Sequence, residues 1–484
     1  MGTEAGGSAL LLVGTLLALA WANSPWAAGY DSFWSTTASI GVGGVELSMD
    51  LRHWVNDGAM ALFFLVVGLE ITREVATGEL RDRRSVAAPA LGALGGLAVP
   101  ALVYLAFNPG GEAASGWGIV MSTDTAFVLG VLALFGPRCP DRLRLFLLTL
   151  AIVDDIGAIG VMALFYSDEL VLPALAVAGV LVLVLLALRW LGVWRLTPYV
   201  LTGIALWLAV HESGVHATLA GVVLGLLLPA RPPSRKEVER TAAFGRALRE
   251  DPDAAKARST KLAVASTVPA NARLQESLHR WTAYLVVPVF GLANAGVVLD
   301  GEALRAAATS TVTLGVAVAL VAGNAVGITL GAVVALRTGW GMLPGGVRWS
   351  HLMAGATLAG IGFTISLFIT DLAFDDELLR EQAKIGILLG SLTAAVLGTL
   401  LLRTLGERFP LCSPASDEPP ALPRAPGWSP ASGSEEPCPA APTARRSAAR
   451  SGRPLNSWPS MMSVGVPGTS SATPVAKSAS TLSP

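Results

Sequence analysis

Long apolar runs recur along the chain, and their length limits what it can fold into. A helix needs about 20 apolar residues to cross the hydrocarbon core of a bilayer. Only 14% of the residues are charged, against about a quarter in a soluble domain. We therefore predict an all-α membrane protein with about twelve transmembrane helices. The segments fall near residues 8–22, 54–70, 85–107, 117–135, 143–166, 170–190, 198–211, 214–230, 280–298, 309–336, 351–374 and 382–403.

The first run has two readings, a secretory signal peptide or a retained membrane helix. A signal peptide begins with a positively charged region. Here the charged residue before the run is Glu4, and no Lys or Arg precedes the run. The sequence favours a retained first helix.

The loops between the segments alternate in charge. Lys and Arg are concentrated in every second loop, as in "TREVATGELRDRRS" and "GPRCPDRLR", whereas the others, such as "NPGGEAASG", are acidic or nearly free of positive charge. Positive residues accumulate in cytoplasmic loops. This alternation predicts that both termini are cytoplasmic.

Three polar regions flank or interrupt the helical domain, for which we expect residues 1–405. Residues 23–53 are predicted to form an outside loop, in which "IGVGGVELSMD" is a weak cue for a β-hairpin. Residues 231–278 are expected to be a cytoplasmic loop. Residues 406–484 are rich in Pro, Ser and Ala, a composition that cannot bury a core and indicates a disordered cytoplasmic tail.

Composition also limits partners and cofactors. A net charge of −1 gives no reason to expect a nucleic-acid partner. The three cysteines have no metal-ligand or CxxC spacing, and no nucleotide-binding motif is visible. We expect no cofactor, and a lipid bilayer as the surroundings.

Carboxylates lie in two neighbouring apolar segments. The fifth segment contains "TLAIVDDIGAIGVMALF" with Asp154 and Asp155, and the fourth contains Thr123 and Asp124. A carboxylate at the bilayer centre costs roughly 3 kcal/mol, and such residues usually mark ion or proton pathways. Pairing with buried cations is the alternative, but the segments offer almost no candidate cation. Carboxylate and hydroxyl oxygens suit a small hard cation, and the same carboxylates can bind protons instead.

The eleventh segment is a poor continuous helix. It contains Gly355, Gly360 and Gly362, followed by Thr364 and Ser366. The glycines alone fit either an interrupted helix or close packing between helices. Position favours interruption, because the fourth and eleventh segments are each the middle member of a triplet, segments 3–5 and 10–12. Interrupted helices at corresponding places indicate inverted-topology repeats with a transport site between them.

Six runs in order resemble the NhaA-type sodium/proton antiporters of bacterial inner membranes, over roughly residues 8–405. They are "WVNDGAMALFFLVVGLEITRE", "STDTAFVLGVLALFG", "LAIVDDIGAI", "SGVHATLAGV", "VPVFGLANAGV" and "GIGFTISLFITDLAF". The resemblance implies a secondary transporter, not an enzyme, that exchanges cytoplasmic sodium or lithium for external protons in the bacterial inner membrane. Inverted repeats are a known feature of this family, so the matching interruptions are not independent support for the resemblance.

The resemblance also implies roles for individual residues. Asp155 would bind the cation and carry protons, with Asp154 as its essential neighbour, and Asp124 and Thr123 would lie where the interrupted helices cross. An access funnel and pH response are implied for a further group. Its members are Asp57, Glu70, Arg73, Glu74, His216 and Glu276. For His216 a packing role is the alternative. A homodimer through the outside hairpin, residues 40–52, is also implied.

Three positions depart from the family pattern. Asn324 occupies the slot where a lysine typically pairs with the carboxylate matching Asp154, and Asn cannot neutralise a buried carboxylate. Glutamine replaces an acid in "RLQESLHRW", where Glu276 follows it, and Glu212 stands where a lysine is common. These departures leave the stoichiometry and the pH profile open.

Two rival functions use the same carboxylates. A cation channel or an uncoupled leak is one, although no carbonyl filter of the "TVGYG" kind appears. An intramembrane aspartyl protease is the other. It needs two carboxylates converging from different helices, whereas Asp154 and Asp155 are neighbours on one helix.

Overall fold

Helices make up most of the residues that the structure describes. The structure, a computed structural model, describes residues 2–42, 45–78, 83–135, 141–167, 170–342 and 349–408. The helices are α1 (Gly2–Ala22), α2 (Ala27–Trp34), α3 (Leu51–His53), α4 (Met60–Thr77), α5 (Arg83–Phe107), α6 (Thr125–Phe135), α7 (Asp141–Phe165), α8 (Leu172–Trp190), α9 (Leu196–His211), α10 (Thr218–Leu227), α11 (Arg235–Glu250), α12 (Ala254–Thr267), α13 (Ala270–Trp281), α14 (Val287–Asn294), α15 (Gly301–Thr309), α16 (Thr311–Val318), α17 (Asn324–Arg337), α18 (Trp349–Leu358), α19 (Thr364–Ala373) and α20 (Glu377–Arg408).

Wider turns join several of these helices. π-helical turns at Trp54–Ala59, Thr282–Val286 and Ala319–Gly323 connect α3 to α4, α13 to α14 and α16 to α17. A 3₁₀ helix, Glu112–Gly118, precedes α6. Each predicted apolar segment therefore contains helix, in one piece or two.

Five stretches of the described residues are long and apolar enough to cross a bilayer as single helices, and a sixth qualifies if α1 and α2, bent by 118°, count together. The five are 84–107, 143–165, 172–190, 311–337 and 377–404. Large apolar side chains on α8 point outwards, including Leu183 at 64% exposure. Such a surface suits an apolar surrounding, while twelve crossings and inverted repeats stay predictions.

The outside loop holds a helix and a hairpin. Strands β1 (Thr37–Val42) and β2 (Val45–Asp50) pair antiparallel, with Thr37 opposite Asp50. Gly43 and Gly44 lie outside the described residues. Tyr30 of α2 ties this loop to the helical domain, because its hydroxyl donates to the carbonyls of Leu292 and Ala293 at 2.9 Å each.

The stretch predicted as a cytoplasmic loop, residues 231–278, is largely helical. α11 starts with a capping box in which Ser234 and Glu237 satisfy each other's backbone N–H groups. The ninth segment begins at Ala270 rather than near 280, because α13 is amphipathic and buries Asn271, Leu274 and Gln275. The predicted tail, 406–484, lies outside the described residues beyond Arg408.

The helices pack as two groups. The first group comprises α1, α4, α8, α9, α10, α13 and α14, the second comprises α5, α7 and α15–α20, and α6 packs against both. Each group contains helices in backbone contact at glycine. A Cβ on Gly221 of α10 would lie 2.1 Å from the carbonyl oxygen of Ala61 in α4, and one on Gly95 of α5 would lie 2.1 Å from that of Gly327 in α17. Small residues allow this approach between membrane helices.

A buried apolar cluster joins the two groups. It includes Leu11, Phe64 and Phe290 of the first group and Val316 and Phe368 of the second. The interface between the groups is thus packed over part of its area, and the functional residues lie along it.

Candidate functional site

The fourth and eleventh segments are both interrupted, and the interruptions touch. Residues 119–124 separate the 3₁₀ helix from α6, and residues 359–363 separate α18 from α19. The backbone N–H of Asp124 donates to the carbonyl of Ile361 at 2.6 Å. The two non-helical stretches are therefore joined by a backbone hydrogen bond where the segments cross.

Each segment caps the carbonyl end of the other. The Thr123 hydroxyl donates to the Ala359 carbonyl at 2.8 Å, just past the end of α18. In return, the Ser366 hydroxyl donates to the Ile119 carbonyl at 2.6 Å, just past the 3₁₀ helix. Helix ends leave carbonyls without partners, so these hydroxyls make two broken helices tolerable inside the protein.

Asp124 caps the amino-terminal ends of both half-helices. One carboxylate oxygen accepts from the backbone N–H of Phe127 in α6 at 3.1 Å. The other accepts from the N–H of Thr364 in α19 at 3.0 Å and from its hydroxyl at 2.8 Å. Two positive helix ends thus face one carboxylate, which their dipoles stabilise.

The glycines of the eleventh segment fit both alternatives that the sequence offers, an interrupted helix and close packing between helices. A Cβ on Gly360 would lie 2.2 Å from the carbonyl oxygen of Leu320, and one on Gly362 would lie 2.7 Å from that of Ser122. These glycines lie at the interruption and also allow close contact with neighbouring backbone. At Gly355 the nearest atom would be 3.3 Å away, on the side chain of Leu147.

Asp154 and Asp155 have different surroundings. Asp154 is 2% exposed and accepts a hydrogen bond from the backbone N–H of Thr123 at 2.8 Å. Asp155 lines a cavity instead. Adjacent helical residues point about 100° apart, so one carboxylate supports the crossing while the other faces open space.

The cavity has a volume of about 170 Å³ and lies between the two helix groups. Its lining residues include Glu70, Thr123, Asp124, Asp155, His279 and Thr364. Among the described residues, no three His, Cys, Asp or Glu side chains converge as a metal site. Side-chain oxygens that line the cavity with Asp155 include those of Glu70, Asp124 and the threonines Thr123 and Thr364.

A cluster around Arg73 lies beside Glu70, at the end of the cavity that we call the mouth. The guanidinium donates to the side-chain oxygen of Gln275 at 3.1 Å and lies 3.4 Å from Glu74 and 3.9 Å from Glu70. Glu276 is exposed and is absent from these contacts and from the cavity lining. Gln275, rather than Glu276, is thus the residue of this stretch that meets Arg73.

Asp57 and His216 lie away from the mouth. Asp57 precedes α4 and is about 20 Å along the helix from Glu70, and its carbonyl accepts from the Trp207 indole at 2.9 Å. The His216 ring nitrogen Nε2 contacts the Tyr166 carbonyl. Neither residue lines the cavity, so the structure separates them from the rest of the implied funnel.

Asn324 is buried between α17 and α5. Its amide donates to the Leu320 carbonyl of its own helix at 3.2 Å. A Cβ on Gly96 of α5 would lie 3.5 Å from its side-chain oxygen. Asp154 receives its hydrogen bond from Thr123 and not from Asn324.

Known proteins are similar to this chain over most of its length. The family model of Na+/H+ antiporter 1 matches residues 1–402. The chain belongs to this family. It is 64% identical over 431 residues to the Na(+)/H(+) antiporter NhaA 3 of Frankia alni, which covers 89% of this chain and 93% of the relative.

Two further relatives extend the comparison. The Na(+)/H(+) antiporter NhaA 1 of Mycobacterium sp. (strain JLS) is 45% identical over 401 residues, covering 83% of this chain but 65% of the relative. The Na(+)/H(+) antiporter NhaA of Syntrophobacter fumaroxidans is 45% identical over 423 residues, covering 84% and 89%. The mycobacterial protein is therefore matched over slightly less than two thirds of its length.

Membership confirms the predicted function class, a sodium/proton antiporter, and does not favour a channel or a protease. The relatives are transporters by name, and together with the apolar helices they indicate a multi-pass bacterial membrane protein.

His279 and Ser8 of the antiporter's cavity region received no role from the sequence, which marked Gln275 only as a departure from the family pattern. His279 lines the cavity, and Gln275, one helical turn earlier, bonds Arg73. Ser8 of α1 also lines the cavity and donates to the Ala126 carbonyl at 2.6 Å. The spacing of Gln275 and His279 on one face of α13 was the available signal; Ser8 lay in an apolar run with nothing to distinguish it.

Proposed function

We propose that the protein exchanges cytoplasmic sodium or lithium for external protons, and that Asp155 is the carboxylate at which they compete. The observation that carries this is the position of Asp155 on the wall of a cavity bounded by both helix groups. A carboxylate in such a place can be neutralised by a proton or by a cation, and holding one excludes the other.

The two other carboxylates support different roles. Asp124 is engaged by three cap bonds, so we assign it to holding the crossing and shaping the cation site. Asp154 is held against Thr123 and links the crossing to α7. Because these three side chains are connected through Thr123 and the helix α7, a change of charge at Asp155 can be felt at the crossing.

Asn324 affects the proton count in this proposal. The family's usual lysine would supply a cation to balance Asp154, but Asn324 bonds its own helix instead. We propose that Asp154 and Asp155 carry protons between them without this partner. Exchange then survives, with a stoichiometry that differs from members that keep the lysine.

The surroundings of the site belong to the same proposal. The alternation of Lys and Arg between loops supports cytoplasmic termini for a protein of the inner membrane. The apolar segments and the two interrupted helices support twelve membrane-spanning helices with inverted repeats. The mouth near Glu70, Arg73 and Glu74 then opens to the cytoplasm and attracts cations. Asp57 and His216 would act on pH response from the other end, and the β1–β2 hairpin would join two copies as a homodimer.

Everted membrane vesicles from cells without their own antiporters test this function. An inside-acid gradient is formed, and sodium or lithium is added at several pH values. We expect cation-dependent collapse of the gradient with the wild type and a fall to background with Asp155→Asn. Asp375→Asn, in an exposed loop, is the matched control and should behave as wild type. An inserted, folded wild type that gives no collapse would refute the proposal.

A further inference from the structure

A second buried polar cluster lies outside the site, at the end of the domain opposite the mouth. Lys384 of α20 forms an ion pair with Asp371 of α19, with 3.1 Å between the ammonium nitrogen and a carboxylate oxygen. The two side chains are only 11% and 15% exposed. Both belong to the second helix group.

Two asparagines of the first group close on this ion pair. The Asn56 amide, in the π-helical turn before α4, donates to the other Asp371 carboxylate oxygen at 3.2 Å. The Asn294 amide, at the end of α14, donates to the Asn56 side-chain oxygen at 2.8 Å. We call these four residues the clasp. It is the place where polar side chains of α4's amino-terminal turn and of α19 meet across the groups.

An apolar layer separates the clasp from the cavity. Phe64, Phe290 and Phe368 are all at most 1% exposed, and the Phe368 ring centroid is 5.6 Å from that of Phe64 and 6.4 Å from that of Phe290. Phe290 and Phe368 each lie about one turn from the clasp residue of the same helix. A cation leaving Asp155 towards this end would meet the aromatic layer first and the clasp second.

We propose that the clasp is the outer gate of the exchange cycle. While the gate is closed, Asn56, held by Asn294, donates its hydrogen bond to Asp371 and so joins the two helix groups. This inference rests on the proposed function, in which the site opens in turn to each end. The Lys384–Asp371 pair stays together because both residues move with the second group. The Asn56–Asp371 bond joins the groups and must break for release.

Lys384 has a further consequence for the gate. When the gate opens, Asp371 borders the exit path, and a carboxylate without a counter-ion would hold the departing cation. Lys384 supplies that counter-ion permanently. It keeps the exit neutral as a pair, so that release is not slowed by a second binding site.

Cross-linking tests whether the Asn56–Asp371 contact must break during exchange. In a chain whose Cys139, Cys412 and Cys438 are replaced by Ser, Asn56→Cys with Asp371→Cys is joined by a short reducible cross-linker. We expect exchange to fall about tenfold or more when the groups are tied, because the two-state equilibrium is then held to one side, and to recover on reduction. The control, Asn56→Cys with Asn294→Cys, lies within one group and should exchange equally well linked or reduced. A linked Asn56–Asp371 pair that exchanges at the reduced rate would overturn the gate.

Charge variants test the role of Lys384. They also test the gate if the Asp371→Cys substitution alone stops exchange and cross-linking cannot be used. We expect Lys384→Met to make external sodium inhibit exchange at a concentration about tenfold lower, and Lys384→Met with Asp371→Asn to reverse this. A double variant no better than Lys384→Met would contradict the role of the pair. Loss of Asp155-dependent exchange in the cysteine-free parent would instead count against the proposed function itself.

Discussion

The crossing of the interrupted helices and the mouth of the cavity use similar polar residues in opposite ways. At the crossing, Asp124, Thr123 and Ser366 are buried, and each bonds a backbone group of the partner segment. At the mouth, the Arg73 side chain is 43% exposed and that of Glu70 34%. The polar groups of the first region are buried with specific partners, whereas those of the second are partly exposed to solvent.

This difference teaches where substitutions should be costly. A buried polar group that loses its partner keeps the full cost of its desolvation, whereas a half-exposed charge can turn to water. We therefore expect the crossing to govern folding and the mouth to adjust affinity. The following changes test that division.

Asp124→Ala should have the largest effect. It removes the side-chain acceptor for both half-helices, at Phe127 and at Thr364, and each lost cap costs about 1–2 kcal/mol. We expect the stability of the protein in detergent to fall by about 2–4 kcal/mol, seen as a lower temperature of thermal unfolding. Asp124→Asn keeps an acceptor oxygen and should lose less. An alanine variant as stable as the wild type would break the comparison at its strongest point.

Gly360→Ala should come next. Its Cβ would lie 2.2 Å from the Leu320 carbonyl oxygen, and such overpacking costs about 1–3 kcal/mol. The control is Gly179→Ala in α8, where no atom lies within 4 Å of the added Cβ. The control should be neutral or stabilising by up to about 1 kcal/mol. Thermal unfolding of both variants measures the contrast, and equal shifts would show that the crossing is not tightly packed.

Gln275→Glu should have the smallest effect, on binding rather than folding. It places a carboxylate against Arg73 at the mouth and adds negative charge where cations arrive. We expect the apparent KM for sodium to fall about twofold at low ionic strength and to return towards wild type at high salt. Glu276→Gln, on the exposed side of α13, should leave the KM unchanged. A loss of exchange in Gln275→Glu would mean that the mouth is as constrained as the crossing.

The sequence predicted the features that appear as a polar exception inside an apolar run. Asp124 and Asp155 stand out because membrane helices rarely contain ionisable residues. The interruptions of the fourth and eleventh segments could be anticipated because both segments are the middle member of a triplet. Their partners across the crossing could not be derived from the residues alone, because the bonds run between segments far apart in the chain.

Other features depend on which way a side chain points. Glu276 carries the charge, but the face of α13 that packs inwards carries Gln275 and His279. Lys384 and Asp371 lie near the ends of two predicted apolar segments, and the sequence gives no sign that they pair; α20 begins at Glu377 and buries the lysine two turns later. The helices α11 and α12 lie in the stretch predicted as a loop, because they carry many charged residues. The spacing of the apolar residues in α11 is nevertheless helical.

The glycine contacts within each helix group have a mechanical meaning. Where Gly221 lies against Ala61, and Gly95 against Gly327, the helix backbones are in direct contact with no side chain between them. Each group is therefore stiff in shear along these seams. Between the groups lie the cavity and the aromatic layer, besides the contact of α1 with α6, and we expect this interface to yield before the glycine seams. Heat or a pulling force should part the two groups before it melts either, so the softest direction of the molecule is the one along which the site must open.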